Sequence, residues 1–221
     1  MSFRLIASCV LLSAAALTAH CSDPDAARVK ATTRPTYDHK TGKLLQLTYD
    51  RNKDGVIDTW TDMDGTRAIR SRIDLDEDGR IDRWEYYDAS GNLTKVGFSR
   101  ANNGQPDAWA YAGPDGRISR IEISSTANEH KIDRWEYYDA ALAAPNGDAA
   151  GTLVRAEEDT MGDGKPHKWE TYENGQVKTV AFDEDGDGKP DRRLTYDDGR
   201  LVLIESSPDA SGAYRTRTVV K

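Results

Sequence analysis

Five tryptophans fall at one place in an internal repeat, and this periodicity constrains the fold more than any other feature of the chain. Trp60, Trp84, Trp109, Trp135 and Trp169 each stand ten residues after a register start, at Asp50, Asp74, Ser99, Ser125 and Asp159. A sixth start, Asp183, carries Arg193 at the same place. The starts are 24, 25, 26, 34 and 24 residues apart, a period typical of repeat architectures. The long spacing contains Ala140 to Gly151, an Ala/Pro/Gly-rich insertion that lengthens a turn and leaves the register intact. Three residues beyond the Trp position come Tyr87, Tyr138, Tyr172 and Tyr196, with Met63 and Ala112 as exceptions.

Before the starts lie apolar segments such as Leu44-x-x-Leu47-x-Tyr49 and Val177-x-x-Val180-x-Phe182. Each reads as a short strand, followed by an acidic Gly-containing loop and a second strand such as Ile81 to Tyr87. Gly and Asx punctuation recurs too often to leave room for helices. The sequence therefore predicts an all-β fold, an antiparallel β-hairpin repeat of about six units of 24–26 residues. About twelve strands would form a meander or an extended, wrapped sheet. Only 37% of the 221 residues are hydrophobic, so one thick core is not expected, yet five Trp and ten Tyr exceed what a disordered chain carries. The expectation is an aromatic ladder in which each unit buries its face against its neighbours.

The turns Tyr87-Asp88-Ala89-Ser90-Gly91-Asn92-Leu93 and Tyr196-Asp197-Asp198-Gly199-Arg200-Leu201 resemble the YD repeats of RHS-type bacterial surface and toxin proteins. That resemblance covers the hairpin turn and implies hairpins joined into a continuous sheet. It implies nothing about activity.

The acidic loops are where chemistry can sit. Of 38 acids, 27 are Asp, the residue of turns and hard-cation sites. From Asp74 the sequence reads D-L-D-E-D-G-R-I-D-R-W-E, with acids at positions 1, 3, 5, 9 and 12 and Gly79 at 6. This resembles an EF-hand calcium loop without the flanking helices, similar to those of dockerins and thrombospondin type 3 repeats. The resemblance implies Ca2+ held by Asp74, Asp76, Asp78, the Arg80 carbonyl, Asp82 and a bidentate Glu85. A second such set is Asp183, Asp185, Asp187, Lys189 by its carbonyl, and Asp191. A third is Asp50, Asn52, Asp54, Val56 by its carbonyl, and Asp58. Neither has a Glu at position 12. The fifth unit has Met161 at position 3 and His167 at 9, and the third and fourth units begin with Ser. No metal is expected at these three. Since units without acids make the same bend, the bend itself does not require a metal.

The first residues read as an address. Leu5 to Ala19 is an apolar run of 15 residues, suited to a signal peptide and too short to span a bilayer. Cys21 follows a small-residue boundary and resembles the lipidated Cys of bacterial lipoproteins. Ordinary cleavage after Ala19, giving a soluble periplasmic or secreted protein, is the alternative reading. The expected organisation is a signal peptide at 1–20, a lipid-anchor tether at 21–43 and a β-repeat domain at 44–221. It implies an exported outer-membrane or periplasmic lipoprotein, attached to the membrane through its N-terminal lipid. A formal charge of −8 argues against nucleic acid as a partner. A surface protein or glycan bound on the Trp/Tyr ladder, with no need for metal, is the alternative function. No nucleophile elbow, zincin motif or phosphate-cradling loop occurs in the sequence, and no enzymatic activity is expected.

Overall fold

A computed structural model describes residues 32–128, 130–139 and 151–220. The signal-peptide and lipidation readings, Cys21 included, lie outside the described residues, as does most of the 140–151 insertion. The chain is all-β. Its first strands are β1 (Thr33–Tyr37), β2 (Leu44–Tyr49), β3 (Thr59–Asp64), β4 (Arg67–Ile73) and β5 (Arg83–Tyr87). Then follow β6 (Leu93–Phe98), β7 (Ala108–Ala112), β8 (Ile118–Ile123), β9 (Arg134–Asp139) and β10 (Thr152–Glu158). The last are β11 (Lys168–Glu173), β12 (Gln176–Phe182), β13 (Arg192–Asp197), β14 (Arg200–Pro208) and β15 (Tyr214–Val219).

All 15 strands form one antiparallel sheet in chain order, a pure meander. Substantial strand-to-strand contact is confined to sequence neighbours, as expected when each repeat can bury surface only against the next. There are 15 strands where the repeat count predicts about twelve. The excess comes from the ends, where the chain adds β1 and the β14–β15 hairpin. Strand β1 lies inside the segment read as a tether, so the sheet begins before residue 44. Its Pro35 is tolerated because β1 is an edge strand.

The meander sorts the connections. Turns of the Tyr-Asp type, as between β5 and β6 and between β13 and β14, close odd-to-even hairpins at one end of the strands. Asp88, for example, accepts from the backbone N–H groups of Ser90 and Asn92, and Gly91 takes a positive φ of 84°. The acidic loops close the even-to-odd hairpins, so all six stand at the opposite end. Successive loops are two strands apart, roughly 10 Å.

Each face of the sheet has its own chemistry. In register across one face run Trp60, Arg72, Trp84, Gly97, Trp109, Glu122, Trp135, Glu157 and Trp169. The tryptophans occupy odd strands only, so none meets the next directly. This corrects the expected stack of aromatics: Arg72, Gly97, Glu122 and Glu157 separate the indoles, and cations lie over aromatic rings of the same face. Lys95 Nζ lies 3.6 Å from the Trp109 ring centroid, and the Arg120 and Arg155 guanidinium carbons lie 4.3 and 3.9 Å from Tyr111 and Tyr137. Among the described residues one aromatic pair remains, Tyr86 and Trp109, tilted at 6.1 Å.

The tyrosines three residues beyond each Trp point to the other face. There Tyr87, Tyr138 and Tyr172 donate to Glu85, Glu136 and Glu170, two residues back on the same strand. Burial raises the pKa of Tyr87, and the bond to Glu85 adds to it. Between these polar strands sit the buried Val96, Ala110, Ala156 and Val180. With Trp84 and Trp109 opposite, they make a core one layer thick.

Candidate metal centres

The acidic loops share a backbone plan that the ladder hydrogen bonds extend into. In the loop from Asp74, the N–H of Asp82 at position 9 donates to Ile73 O, and Asp82 O accepts from Ser99 N–H of the next loop. Position 9 carries a second duty. Asp82 Oδ2 accepts the N–H of Leu75 at 2.6 Å, as Asp58 does for Arg51, Asp107 for Arg100, Asp133 for Ser125 and Asp191 for Glu184. Position 4 has positive φ in every loop, at Lys53, Glu77, Asn102, Ala127, Gly162 and Gly186. This shows that the fourth loop starts at Ser124 and holds one extra residue. The ten-residue spacing to Trp135 predicts Ser125 instead.

Position 1 is held down by the loop's own amides. Asp50, Asp159 and Asp183 each accept from the N–H groups of positions 4 and 6. Burial raises the Asp183 pKa, but the Gly188 and Gly186 amides outweigh it and hold the carboxyl below the usual range. Asp74 departs from this plan. Its Oδ2 accepts from Gly79 N–H at 2.9 Å, while Oδ1 is buried with no hydrogen-bond partner. The residue is 5% exposed.

Asp74, Asp76 and Asp78 each offer a carboxylate oxygen, all within 4.8 Å of one another. Asn102, from the neighbouring loop, reaches over them: its Nδ2 donates to Asp76 and Asp78, and its Oδ1 is buried without a partner. Three carboxylates thus share one donor amide and the Arg80 guanidinium 3.8 Å from Asp78, leaving negative charge in excess that a cation can offset. Sequence reasoning missed Asn102, since nothing local marks position 4 of a Ser-led loop as facing its neighbour.

The other predicted ligands divide. Glu85 is not in the group; its carboxylate is held by Arg83 and Tyr87 on the face of the sheet. The cause is the missing helix. Residue 12 of an EF-hand swings back from a helical turn, whereas Glu85 is already in β5 with its side chain perpendicular to the loop. Asp82 and Asp58 are occupied as amide caps. Arg80, Val56 and Lys189 donate their N–H groups to Asp78, Asp54 and Asp187.

In the last loop Asp183, Asp185 and Asp191 are brought together, and Asp187 is not part of that group. In the first loop Asp50, Asp54 and Asp58 form no such three-acid group among the described residues. Asn52 Nδ2 there turns to Asp54 and, across loops, to Glu77. A third group comes from the fifth loop, where no metal was expected: Asp159, Asp163 and His167.

No protein-family model and no curated protein matches the chain. Among solved structures, S. aureus TarM is similar over 48% of this chain and 22% of its own, at 10% identity and a TM-score of 0.35. The S. pneumoniae accessory secretory protein 1, 2 and 3 structure is similar over 51% of this chain and 20% of its own, at 14% identity and 0.37. TcdB2-TccC3 covers 85% of this chain at 17% identity, but 11% of its own length, with a TM-score of 0.27. The chain thus spans about a fifth or less of these structures. The expectation of no enzymatic activity is withdrawn, with TarM and the GtfA/B complex among the similar structures. At these scores the likeness assigns no activity to this chain.

Proposed function

We propose that this chain is an exported, lipid-anchored β-repeat protein in which Ca2+ fixes the β4–β5 loop, in keeping with its resemblance to YD-repeat and EF-hand-like sequences. The observation that carries the calcium reading is Asp74 Oδ1. It is the one position-1 Asp oxygen that is buried and partnerless, on a residue whose carboxylate groups with those of Asp76 and Asp78. Unpaired carboxylates about 4 Å apart repel by roughly 1–4 kcal/mol per pair, which a dication relieves. An all-oxygen donor set selects a hard ion such as Ca2+. Rotation of the Asn102 amide by half a turn adds its Oδ1 as a fourth protein oxygen. The Asp183, Asp185 and Asp191 group is a second, weaker candidate, because none of its side-chain atoms is buried without a partner.

The ion acts on structure, contributing RT ln(1 + [L]/Kd) to stability. The test is thermal unfolding of the purified chain in EGTA and in millimolar Ca2+, with Mg2+ as control. A Ca2+-specific rise in Tm that disappears in Asp74→Ala supports the reading. An unchanged Tm overturns it. Retention of the exported protein in the membrane fraction, lost in Cys21→Ala, tests the lipid anchor separately.

A further inference from the structure

We propose that the loop Asp159–His167 is a metal site of a different class, in which Asp159, Asp163 and His167 hold a zinc-type dication. At position 9 the other five loops carry an Asp that caps a backbone amide, and here an imidazole replaces it. His167 is 2% exposed, and its Nδ1 is buried without a hydrogen-bond partner. It points into the carboxylates: Nδ1 lies 3.4 Å from Asp159 Oδ1, and Nε2 lies 3.6 Å from Asp163 Oδ1. One ligand atom from each of the three residues falls within 4.8 Å of the others.

The donor set differs from that of the Asp74 loop. Position 3 is Met161, which supplies no oxygen, and one of the three donors is a nitrogen. Ca2+ takes six to eight oxygens, whereas zinc is at home with His and Asp in a four-coordinate site. Asp159 is held in place by the loop itself, accepting the Gly162 and Gly164 N–H groups. Two glycines, Gly162 and Gly164, give the loop the positive φ it needs without strained side chains. Three protein ligands leave one zinc position open. Asp159 and Asp163 line a groove of about 550 Å3 shared with Thr126, His130 and Lys131 of the preceding loop, where a water or ligand atom can complete the shell.

The test is calorimetric titration of the EDTA-treated, dialysed full chain with Zn2+ in the presence of millimolar Ca2+, repeated with Co2+ while the visible spectrum is followed. The expected result is a Zn2+ equivalent that Ca2+ does not displace, with Co2+ showing ligand-field bands of nitrogen and oxygen coordination. His167→Asp restores the residue of the sister loops, so it should fold while weakening Zn2+ by about 100-fold or more, beyond the loss typical of a supporting residue. Asp163→Ala, at an exposed side chain, should weaken it comparably; His39→Gln should not. Zn2+ binding unchanged in His167→Asp and Asp163→Ala overturns the proposal, as does failure of the full chain to bind Zn2+. Neither result bears on Asp74, whose Ca2+ response is read separately.

Discussion

Asp82 accepts the N–H of Leu75 at 2.6 Å, closing the acidic loop across its mouth from position 9 to position 2. The same bond recurs in loops led by Ser99 and Ser124, where no acidic cluster forms, so the loop shape is metal-independent. Asp82→Ala should therefore lower stability by about 1.5–3 kcal/mol, the range for a hydrogen bond to a charged group. Asp82→Asn, which keeps an acceptor, should recover much of this. Urea unfolding in EGTA and in Ca2+ should show the same loss. A loss confined to Ca2+ would make Asp82 a ligand instead.

Glu85 separates this loop from an EF-hand in a second way. Its carboxylate serves Arg83 and Tyr87, at 2.8 and 2.5 Å, and not the loop. Glu85→Gln should leave the Ca2+-induced rise in Tm intact while lowering Tm with and without the ion. In an EF-hand the same change would weaken the ion far more than the fold. Ca2+ titration of the two variants, Glu85→Gln and Asp74→Ala, distinguishes these outcomes.

The fold class was legible because Trp and Gly punctuation has a fixed period, and a period of this length with no helical pattern leaves only hairpins. The Asp74, Asp76 and Asp78 group was legible for a related reason: alternate acids before a Gly converge when a loop curls. What the sequence could not convey was the direction of side chains once the strand begins. Glu85 matches position 12 of a motif whose geometry depends on a helix, and β5 sends it elsewhere. Cross-loop partners were equally hidden. Asn102 and His167 matter because strands two apart bring loops side by side, and spacing along the chain carries no record of that. Strand β1 escaped the repeat count because it carries Pro35 and exposed polar residues, as edge strands do, and β14–β15 because it lies beyond the sixth Trp-type register.

Alkaline pH should loosen the sheet through its tyrosines. Burial, then the bond to Glu122 at 2.7 Å, pushes the Tyr111 pKa up from 10.0 to about 12. A folded-state pKa above the unfolded one favours the protonated phenol in the fold. Its contribution is therefore complete below pH 10 and lost as pH rises to 12. Tyr138 shifts in the same direction through burial and Glu136. Tm should fall across that window, and Tyr111→Phe, which cannot ionise, should fall less steeply. Equal slopes in the two proteins would show that Tyr111 is not responsible.

The acid limb has the opposite sign. Burial raises the Glu170 pKa, but Lys168 and Tyr172 outweigh it and hold the carboxyl below 4.5. Lys168 Nζ is 2.8 Å from Glu170 Oε1, and Arg134 is 3.1 Å from Oε2. A depressed pKa stabilises the fold above the unfolded value and is lost as pH falls through the folded one. Stability should drop below about pH 4.5, and Glu170→Gln should flatten that drop while costing stability at neutral pH. An unchanged acid limb would place the sensitive carboxylate elsewhere, with Asp62 between Arg70 and Arg72 the next to replace.

Gly97 is the glycine on which the tryptophan face depends. It pairs with Trp109 across β6 and β7, and a Cβ built there would lie 2.5 Å from the ring's Cζ3 and 2.9 Å from two further ring carbons. Its φ is not in the left-handed region, so the conflict is with the ring and not with the backbone. The ring cannot yield cheaply, because Lys95 lies over it and Tyr86 packs beside it. Gly97→Ala should therefore cost about 1–3 kcal/mol, the range for overpacking a filled site, and should shift Trp109 emission as the indole is displaced. Gly113→Ala is the control: its Cβ would approach Asp115 Oδ1 and Ser119 Cβ no closer than 3.3 Å, contacts that small movements relieve. A loss at Gly97 well above that at Gly113, accompanied by the emission shift, ties the stability of the single-layer sheet to the seating of Trp109. Equal losses would instead show that the cost at Gly97 does not come from the seating of Trp109.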